Sequence, residues 1–330
     1  MRYDVFGLEN PIIDLLAQVP DAFLAQMGIE KNRWAMIDQA RHAELVRALD
    51  GVPLRYESGG SCANTIVGIA QLGAKAAYCG RVGADEHGRI YAEKLREAGV
   101  TPFLRSGTVP TGSALIFITP DAGRTMNLFL GACRELAPQD VPVEDLRASR
   151  WLYLTGYVWD SDAQKEAATL ALRTAKAAGI PVAFSLADPI YANRHREDFL
   201  RLIRDHVELV FANREEALAL TGRDHAQEAL RDLSKLCPWL ALTLGHAGAL
   251  ISAHGETVYV ESYPVHPVDT TGAGDAFAAG FLYGRVTGVS PLQCGRLGCA
   301  FASRVITQVG PRLSGDVRGA LAPVLGDVRA

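Results

Sequence analysis

Short apolar runs alternate along this chain with longer segments of helical period. The runs that predict buried strands are 76–79, 151–154, 182–184, 209–211 and 240–243. The segments that predict helices are 61–72, 84–98, 162–178, 195–205, 214–221 and 225–236, followed by amphipathic runs at 273–282 and 292–306. This alternation is typical of βαβ units around a mostly parallel sheet, so the pattern predicts an α/β fold.

Two segments interrupt the alternation. Residues 15–45 and 104–130 contain strand-like stretches, such as 113–118, inside an otherwise α/β chain. We expect them to form a small β-rich lid over the carboxyl edge of the main sheet, where open α/β sheets bind ligands. A lid at that edge would exclude water during a reaction. The alternative is that both segments are ordinary surface excursions.

Composition excludes several classes of protein. Of the 330 residues, 48% are hydrophobic and 21% are charged, as in an ordinary globular enzyme. The net charge of -4 and the scattered basic residues argue against a nucleic-acid partner. The N-terminus lacks the features of a signal peptide, and no apolar run approaches the ~20 residues of a membrane span. Six dispersed cysteines without a CxxC pair predict reduced thiols, so we expect a cytoplasmic protein.

The segment 268–280 carries the most informative chemistry. Thr270 and Thr271 are candidate helix caps, and Gly272 and Gly274 let backbone N–H groups converge where a helix begins. Such a helix terminus suits an anion, and a carboxylate at Asp275 would compete with it. The conflict disappears if Asp275 accepts the proton of an attacking hydroxyl while the amides stabilise a transferring phosphoryl group.

The same segment also allows interpretations without catalysis. Asp275 is also a favourable first-turn acid without any catalytic role. Half of a dinucleotide fingerprint would need glycine at Phe277 and a place in the first βα unit, and the chain contains no Walker A loop.

The residues from Asp269 to Phe281 resemble the C-terminal signature of the ribokinase/PfkB family of carbohydrate and nucleoside kinases. Other stretches resemble motifs of that family in the right order, namely 58–65, 80–88, 213–216 and 243–249. The resemblance covers essentially the whole chain. It implies one ribokinase-like domain over 1–330, a three-layer αβα sandwich with a mostly parallel central sheet and a small β-rich lid. It also implies ATP- and Mg²⁺-dependent phosphoryl transfer to an alcohol.

The resemblance also implies roles for individual residues. Asp275 would be the catalytic base, with anion-hole amides from Gly272, Ala273 and Gly274. The acceptor would be bound by Asn10 and Asp14, both projecting from the end of the first strand, and by Gly59, Gly60 and Asn64. The nucleotide would be contacted by Thr243, Gly245, Arg124, Asn213 and Glu216, with Glu216 holding Mg²⁺ through water. Asp269 and Thr271 correspond to family positions near a monovalent-cation site, which makes K⁺ a candidate cofactor.

Plainer roles compete with three of these assignments. Asn213 and Glu216 have the spacing of a helix cap with its capping-box glutamate. Asn10 is also a typical turn residue before proline. Arg124 is a lone arginine in a turn-rich segment and would ordinarily be a solvated surface residue.

The sequence indicates the identity of the phosphoryl acceptor less directly than it indicates the reaction. The 44 residues between Asp14 and Gly59, and the segment that begins at Arg124, are similar to the adenosine kinase branch, an activity of purine salvage. Glu9 departs from that branch, which usually has glycine there. The candidates for a purine-binding wall are Trp34, Met36, Phe117 and Phe129, which would otherwise form the lid's own core. We expect adenosine or a related nucleoside, with fructose, ribose or 2-keto-3-deoxygluconate as the alternative, in a monomer or homodimer.

Two other classes of protein fit the sequence less well. A non-catalytic ligand sensor on this fold would be free to lose Asp275, which is present. A nicotinamide-dependent oxidoreductase would need a glycine-rich fingerprint near the first strand, where residues 7–14 contain only Gly7.

Overall fold

Two β-sheets organise the part of the chain that the computed structural model describes, residues 1–121 and 123–326. The strands in chain order are β1 (Tyr3–Leu8), β2 (Ile12–Gln18), β3 (Trp34–Met36), β4 (Leu54–Gly59), β5 (Ala76–Gly83), β6 (Val100–Gly107), β7 (Ser113–Ile118), β8 (Arg124–Phe129), β9 (Ser149–Thr155), β10 (Val182–Ser185), β11 (Leu209–Asn213), β12 (Trp239–Thr243), β13 (Ala249–Ala253) and β14 (Glu256–Val260).

Helices connect most of these strands. In chain order they are α1 (Asp21–Gln26), α2 (Gln39–Ala48), α3 (Ser61–Gln71), α4 (Glu86–Glu97), α5 (Val143–Arg147), α6 (Asp162–Ala178), α7 (Pro189–Arg194), α8 (Arg196–His206), α9 (Arg214–Thr221), α10 (Ala226–Leu233), α11 (Ala273–Thr287), α12 (Pro291–Val305), α13 (Val317–Ala320) and α14 (Ala322–Gly326). Every strand and helix that the hydrophobic pattern predicted is confirmed, with ends shifted by a few residues.

The large sheet has the strand order β14-β13-β12-β11-β10-β9-β1-β5-β6. Neighbours from β12 to β6 run parallel, whereas β13 and β14 are added antiparallel. Because β1 lies between β9 and β5, the chain extends outward from it in both directions. Open α/β sheets bind ligands at the carboxyl ends of the strands beside such a switch point. The topology therefore points to a site beyond the ends of β1 and β9.

Side chains of the inner strands alternate between two hydrophobic layers. In β9, Trp151 and Tyr153 pack into one layer, and Leu152 and Leu154 pack into the other. The first layer contains α3, α4, α11 and α12, and the second contains α6, α8, α9 and α10. This is the three-layer αβα sandwich that the sequence predicted.

The second sheet has the order β3-β8-β7-β2-β4, and its strand β2 follows the carboxyl end of β1 after three residues. We call it the lid sheet. Its strands come from residues 12–59 and 113–129, which differs from the expected bounds of 15–45 and 104–130. Residues 104–107 belong to β6, which pairs with β5 in the large sheet. β4 belongs to the lid sheet because it pairs antiparallel with β2. Its sequence did not predict a buried strand, since it contains the charged residues Arg55 and Glu57.

Among the described residues, no helix is both long and apolar enough to cross a membrane. The six cysteines are all free and buried, which agrees with the expected reduced thiols.

A first prediction concerns the packing of α11 against α12. A methyl group on Gly280 would lie 2.5 Å from the backbone oxygen of Leu297, so Gly280→Ala must push the two helices apart. We expect the free energy of unfolding to fall by about 1–3 kcal/mol, measured by urea titration. Gly274→Ala in the same helix is the control, because its new methyl group meets no atom within 4 Å. Equal stability of the two variants would contradict this packing argument.

Candidate active site

The first turn of α11 lies open at the carboxyl edge of the large sheet. Gly272 precedes the helix with φ at 76°, and a side chain there would lie 2.4 Å from the backbone oxygen of Pro311. No side chain caps the helix, so the expectation that Thr270 and Thr271 do so is wrong. Thr271 instead donates its hydroxyl to Asp269 at 2.6 Å.

The predicted anion-hole amides are not equivalent in this conformation. The amide of Ala273 donates to the backbone oxygen of Thr270 at 3.2 Å. Among the described residues, the amides of Gly272 and Gly274 make no backbone hydrogen bond. Unpaired donors at a helix N-terminus are the groups that bind an anion.

Asp275 is held by two side chains of α3. Ser61 donates its hydroxyl to Asp275 Oδ1 at 2.6 Å, and Asn64 donates its amide to Asp275 Oδ2 at 2.8 Å. Burial raises the pKa of Asp275 above its usual value, whereas these two hydrogen bonds and the charge of Arg312 lower it. The carboxylate is therefore oriented on both oxygens by neutral donors.

The turn between β4 and α3 brings the acceptor-binding candidates to the same place. Gly60 begins α3 with φ at 94°, and a side chain there would lie 2.6 Å from the backbone oxygen of Asn10. A side chain at Gly59 would lie 2.5 Å from Asp14 Oδ1. The two glycines thus allow the end of β1, the lid sheet and α3 to meet beside Asp275.

Asp14 lies within β2 of the lid sheet, so the expectation that it projects from the end of the first strand is wrong. Pro11 separates the two strands, and the chain changes sheet there. Burial raises the pKa of Asp14 to about 7, against the opposing charges of Arg312 and Arg124. Within the described residues its carboxylate accepts no hydrogen bond, which leaves both oxygens available to hydroxyl groups of a ligand.

Asn10 follows β1 directly, and its side-chain amide is engaged by the protein. Its nitrogen donates to the backbone oxygen of Tyr157 at 3.3 Å, and its oxygen accepts from Gln164. In this conformation Asn10 therefore fixes the loop after β9, and its role in binding the acceptor stays a prediction.

A cavity of about 330 Å³ lies beside Asp14. Its walls include Glu57, Ser58, Arg124 and Arg312, so both acidic and basic side chains face it.

A second and larger cavity, of about 660 Å³, lies beyond the start of α11. Thr243 at the end of β12 and Gly245 just after it line this cavity together with Gly274, and Phe277 and Ile306 contribute apolar walls. This volume is within the usual range for cofactor-sized ligands. The structure thus brings the predicted nucleotide-contacting turn and the predicted anion hole to one cavity. Gly248 serves the turn, since a side chain there would lie 2.1 Å from the backbone oxygen of Val260.

Asn213 and Glu216 form the capping box of α9. The side-chain oxygen of Asn213 accepts from the backbone amide of Glu216 at 2.8 Å. The carboxylate of Glu216 accepts from the backbone amide of Asn213 at 2.9 Å. Burial, together with the charges of Asp188 and Asp275, raises the pKa of Glu216 to about 7, against the hydrogen bond from the backbone of Asn213. Acidic groups that repel one another in this way favour a nearby cation.

Arg124 on the lid sheet forms an ion pair with Asp269, which precedes α11. Asp269 also accepts hydrogen bonds from the amide of Thr271 at 3.0 Å and the amide of Gly310 at 2.9 Å. Arg124 is therefore partly buried beside the segment that precedes α11, and its contact with the nucleotide stays a prediction. The monovalent-cation site at Asp269 and Thr271 stays a prediction.

Sequence reasoning missed three polar residues of this site. Ser61 lies within a recognised motif, but the motif does not reveal which of its side chains reaches Asp275. Arg312 comes from the segment after α12, 37 positions beyond Asp275. Glu9 was noted only as a departure from adenosine kinases. It is buried and accepts hydrogen bonds from the amide of Cys62 at 2.9 Å and from Thr155.

Known proteins share both this fold and this arrangement of motifs. The family described as pfkB family carbohydrate kinase matches residues 35–317. The chain belongs to the pfkB family of carbohydrate kinases. Members of that family transfer a phosphoryl group, so this pfkB kinase is an ATP-dependent enzyme that acts on a small molecule.

Relatives of this kinase have both sugar and nucleoside names. An uncharacterized sugar kinase from Archaeoglobus fulgidus is 30% identical over 252 residues, which cover 74% of this chain and 97% of the relative. A probable sugar kinase from Rhizobium etli CFN 42 has a TM-score of 0.88 at 40% identity, covering 99% of both chains. An adenosine kinase from Sinorhizobium meliloti has a TM-score of 0.87 at 40% identity, covering 98% of this chain and 99% of that one.

A second prediction concerns Glu9. Burial raises its pKa from 4.5 to about 8, so folding takes up a proton and this residue costs stability as the pH rises from 4.5 towards 8. Glu9→Gln stays neutral, can still accept from Cys62 and can donate to Thr155. We expect it to raise the melting temperature relative to wild type more at pH 8 than at pH 5.

Thermal unfolding at the two pH values measures this difference. Glu256→Gln, at an exposed position of β14, is the matched control and should show no such dependence on pH. The same change in melting temperature for Glu9→Gln at both pH values would contradict the assignment of a neutral buried carboxyl group.

Proposed function

We propose that this kinase transfers the terminal phosphoryl group of ATP to the hydroxymethyl group of a nucleoside, with adenosine as the preferred acceptor. The observation that carries the proposal is the position of Asp275. Its carboxylate is oriented by Ser61 and Asn64 at 2.6 and 2.8 Å, in the first turn of a helix that no side chain caps. A base and an anion site next to each other are what phosphoryl transfer to a hydroxyl group requires.

In this proposal Asp275 accepts the proton of the attacking hydroxyl group. The amides of Gly272, Ala273 and Gly274 stabilise the negative charge on the phosphoryl group, with the Ala273 amide released from its bond to Thr270. Asp14, whose carboxylate accepts no hydrogen bond among the described residues, holds hydroxyl groups of the acceptor. Arg124 offsets charge as the phosphoryl group moves.

The nucleotide occupies the 660 Å³ cavity beside Thr243 and Gly245. Mg²⁺, when bound, neutralises charge on the phosphate groups. Among the residues that the structure describes, no three His, Cys, Asp or Glu side chains cluster closely enough to hold a metal ion directly. Contact through water from Asn213 and Glu216 agrees with that observation, because Mg²⁺ usually keeps several of its waters.

The lid sheet supports a nucleoside over a free sugar as the acceptor. Residues paired across strands point to the same face, and Asp14 is in register with Ala114, which pairs with Leu128, which pairs with Met36. The neighbouring row on this face is Leu16, Ile116, Met126 and Trp34. Asp14 therefore lies between an apolar patch on β7, β8 and β3 and the charged side chains of Glu57 and Arg55 on β4.

Trp34 and Met36 remain exposed on this face, at 56% and 49% of their full accessible areas. Phe117 and Phe129 lie on the opposite face, where they pack against Phe23 and His42 respectively. The four residues expected to form a purine-binding wall are thus divided between the two faces. Phe117 and Phe129 pack in the core of the lid instead. An apolar surface beside hydroxyl-binding groups suits a nucleobase joined to a ribose, whereas a free sugar would leave it uncovered.

A third prediction tests the acceptor. We expect ADP release with ATP, Mg²⁺ and adenosine, lower rates with inosine, guanosine and cytidine, and background rates with ribose, fructose and 2-keto-3-deoxygluconate. The physical reason is that only the nucleosides cover the apolar face beside Asp14. Turnover with a free sugar and not with adenosine would overturn the nucleoside assignment and favour the sugar kinase alternative.

A fourth prediction tests the base. Asp275→Asn keeps the shape of the side chain but cannot accept the proton, so we expect turnover to fall by roughly 10²–10⁴. Asp198→Asn, on the surface of α8, is the matched control and should keep wild-type turnover. Circular dichroism and melting temperature establish that both variants are folded. Near-normal turnover by a folded Asp275→Asn protein would refute the assigned mechanism.

A further inference from the structure

The segment after α12 returns across the starts of α11 and α3. Pro311 packs against Gly272, and the next residue, Arg312, extends between β4 and α3. Arg312 donates from Nε to Asn64 Oδ1 at 2.8 Å and from Nη1 to Ser58 Oγ at 2.6 Å. Two hydrogen bonds from one guanidinium fix its orientation more firmly than one could.

These contacts determine which end of the Asn64 amide faces Asp275. A guanidinium group only donates hydrogen bonds, so the end of Asn64 that faces Arg312 must be its oxygen. The nitrogen then faces Asp275 Oδ2, to which it donates at 2.8 Å. With the amide reversed, two donors would meet at Arg312 and two acceptors at Asp275.

We propose that Arg312 is a positioning residue for phosphoryl transfer, which acts by holding the Asn64 amide in the orientation that donates to Asp275. This inference rests on the proposed function, because it takes Asp275 to be the base. Arg312 touches neither reacting group in this account, and its effect passes through Asn64.

The charge of Arg312 acts in the same direction as the hydrogen bond. Burial raises the pKa of Asp275, and Arg312 and Asn64 both lower it. The other titratable groups whose charges are coupled to Asp275 are Glu9, Cys62, Tyr153, Tyr157 and Glu216. Arg312 also faces Tyr91, Asp14 and Glu57, and its charge lowers the pKa of Asp14 as well. The pH profile is therefore taken from kcat, with the acceptor bound, rather than from kcat/KM, in which the free Asp14 side chain also titrates.

The experiment measures kcat and KM from pH 5 to 9 with the acceptor that gives the highest turnover in the panel described above. In Arg312→Met we expect kcat to fall at least tenfold and its acidic limb to move up by about 1 pH unit, since the active form of Asp275 is the ionised one. Arg312→Lys keeps the charge but not the paired hydrogen bonds. Compared with Arg312→Met, this variant should bring the acidic limb part of the way back to its wild-type position but recover little of the lost kcat.

Two further proteins make the test specific. Arg318→Met changes an exposed arginine of the same segment and should match wild type in both kcat and its pH profile. If Arg312 acts through Asn64, kcat of the double variant Arg312→Met/Asn64→Ala should lie within about threefold of Asn64→Ala alone.

Three outcomes would overturn the inference. A raised KM with an unchanged limb would mean that Arg312 binds the acceptor directly. A lowered melting temperature with unchanged kcat would mean that it only anchors the C-terminal segment. Additive losses in the double variant would mean that it does not act through Asn64. Near-normal turnover by a folded Asp275→Asn protein would instead refute the proposed function itself, so the two failures are distinguishable.

Discussion

In the proposed mechanism, a carboxylate that has to be ionised in a partly dehydrated place constrains much of the architecture around it. Asp275 lies where burial favours its neutral form, and the surrounding donors oppose that tendency. Ser61 and Asn64 come from α3, and Arg312 comes from the segment after α12. Their convergence depends on the close packing of α3, α11 and that segment, which glycine makes possible at Gly272. The hydrophobic layer beneath the helices is therefore what keeps the polar groups aligned.

The order of strands explains why this site forms where it does. β1 lies at the point from which the large sheet grows in both directions, so the connections that leave β1 and β9 lead to helices in opposite layers and leave a crevice beyond the strand ends. Glu9 occupies the base of that space and ties the start of α3 to the end of β9 through Cys62 and Thr155. A neutral carboxyl group can make both bonds without placing a second full charge near Asp275.

The large sheet could be predicted from the sequence because its signal is local. Runs such as 151–154 and 209–211 are apolar on both faces, and helical segments of adequate length separate them. The anion-binding start of α11 was also local, since two glycines and an acid lie within four positions. The lid was harder, because β4 carries alternate charged residues and becomes a strand only by pairing with β2.

Contacts between distant parts of the chain could not be predicted in this way. Arg312 reaches Asn64 across 248 positions, and no pattern near either residue records that encounter. The split of Trp34 and Met36 from Phe117 and Phe129 depends on strand register, which composition does not reveal. Thr270 and Thr271 looked like caps because their residue type is right, yet the left-handed backbone at Gly272 starts the helix without them.

The way in which the lid sheet is joined to the sandwich links two properties of the enzyme. One connection runs from β1 into β2 through Asn10 and Pro11, and another runs from β4 into α3 through Gly59 and Gly60. Both pass directly through the proposed acceptor site. Any rotation of the lid sheet as a rigid body therefore changes the separation between Asp14 and Asp275. The angle of the lid sheet and the distance between the reacting groups therefore change together. A substitution in either connection would alter kcat and KM together.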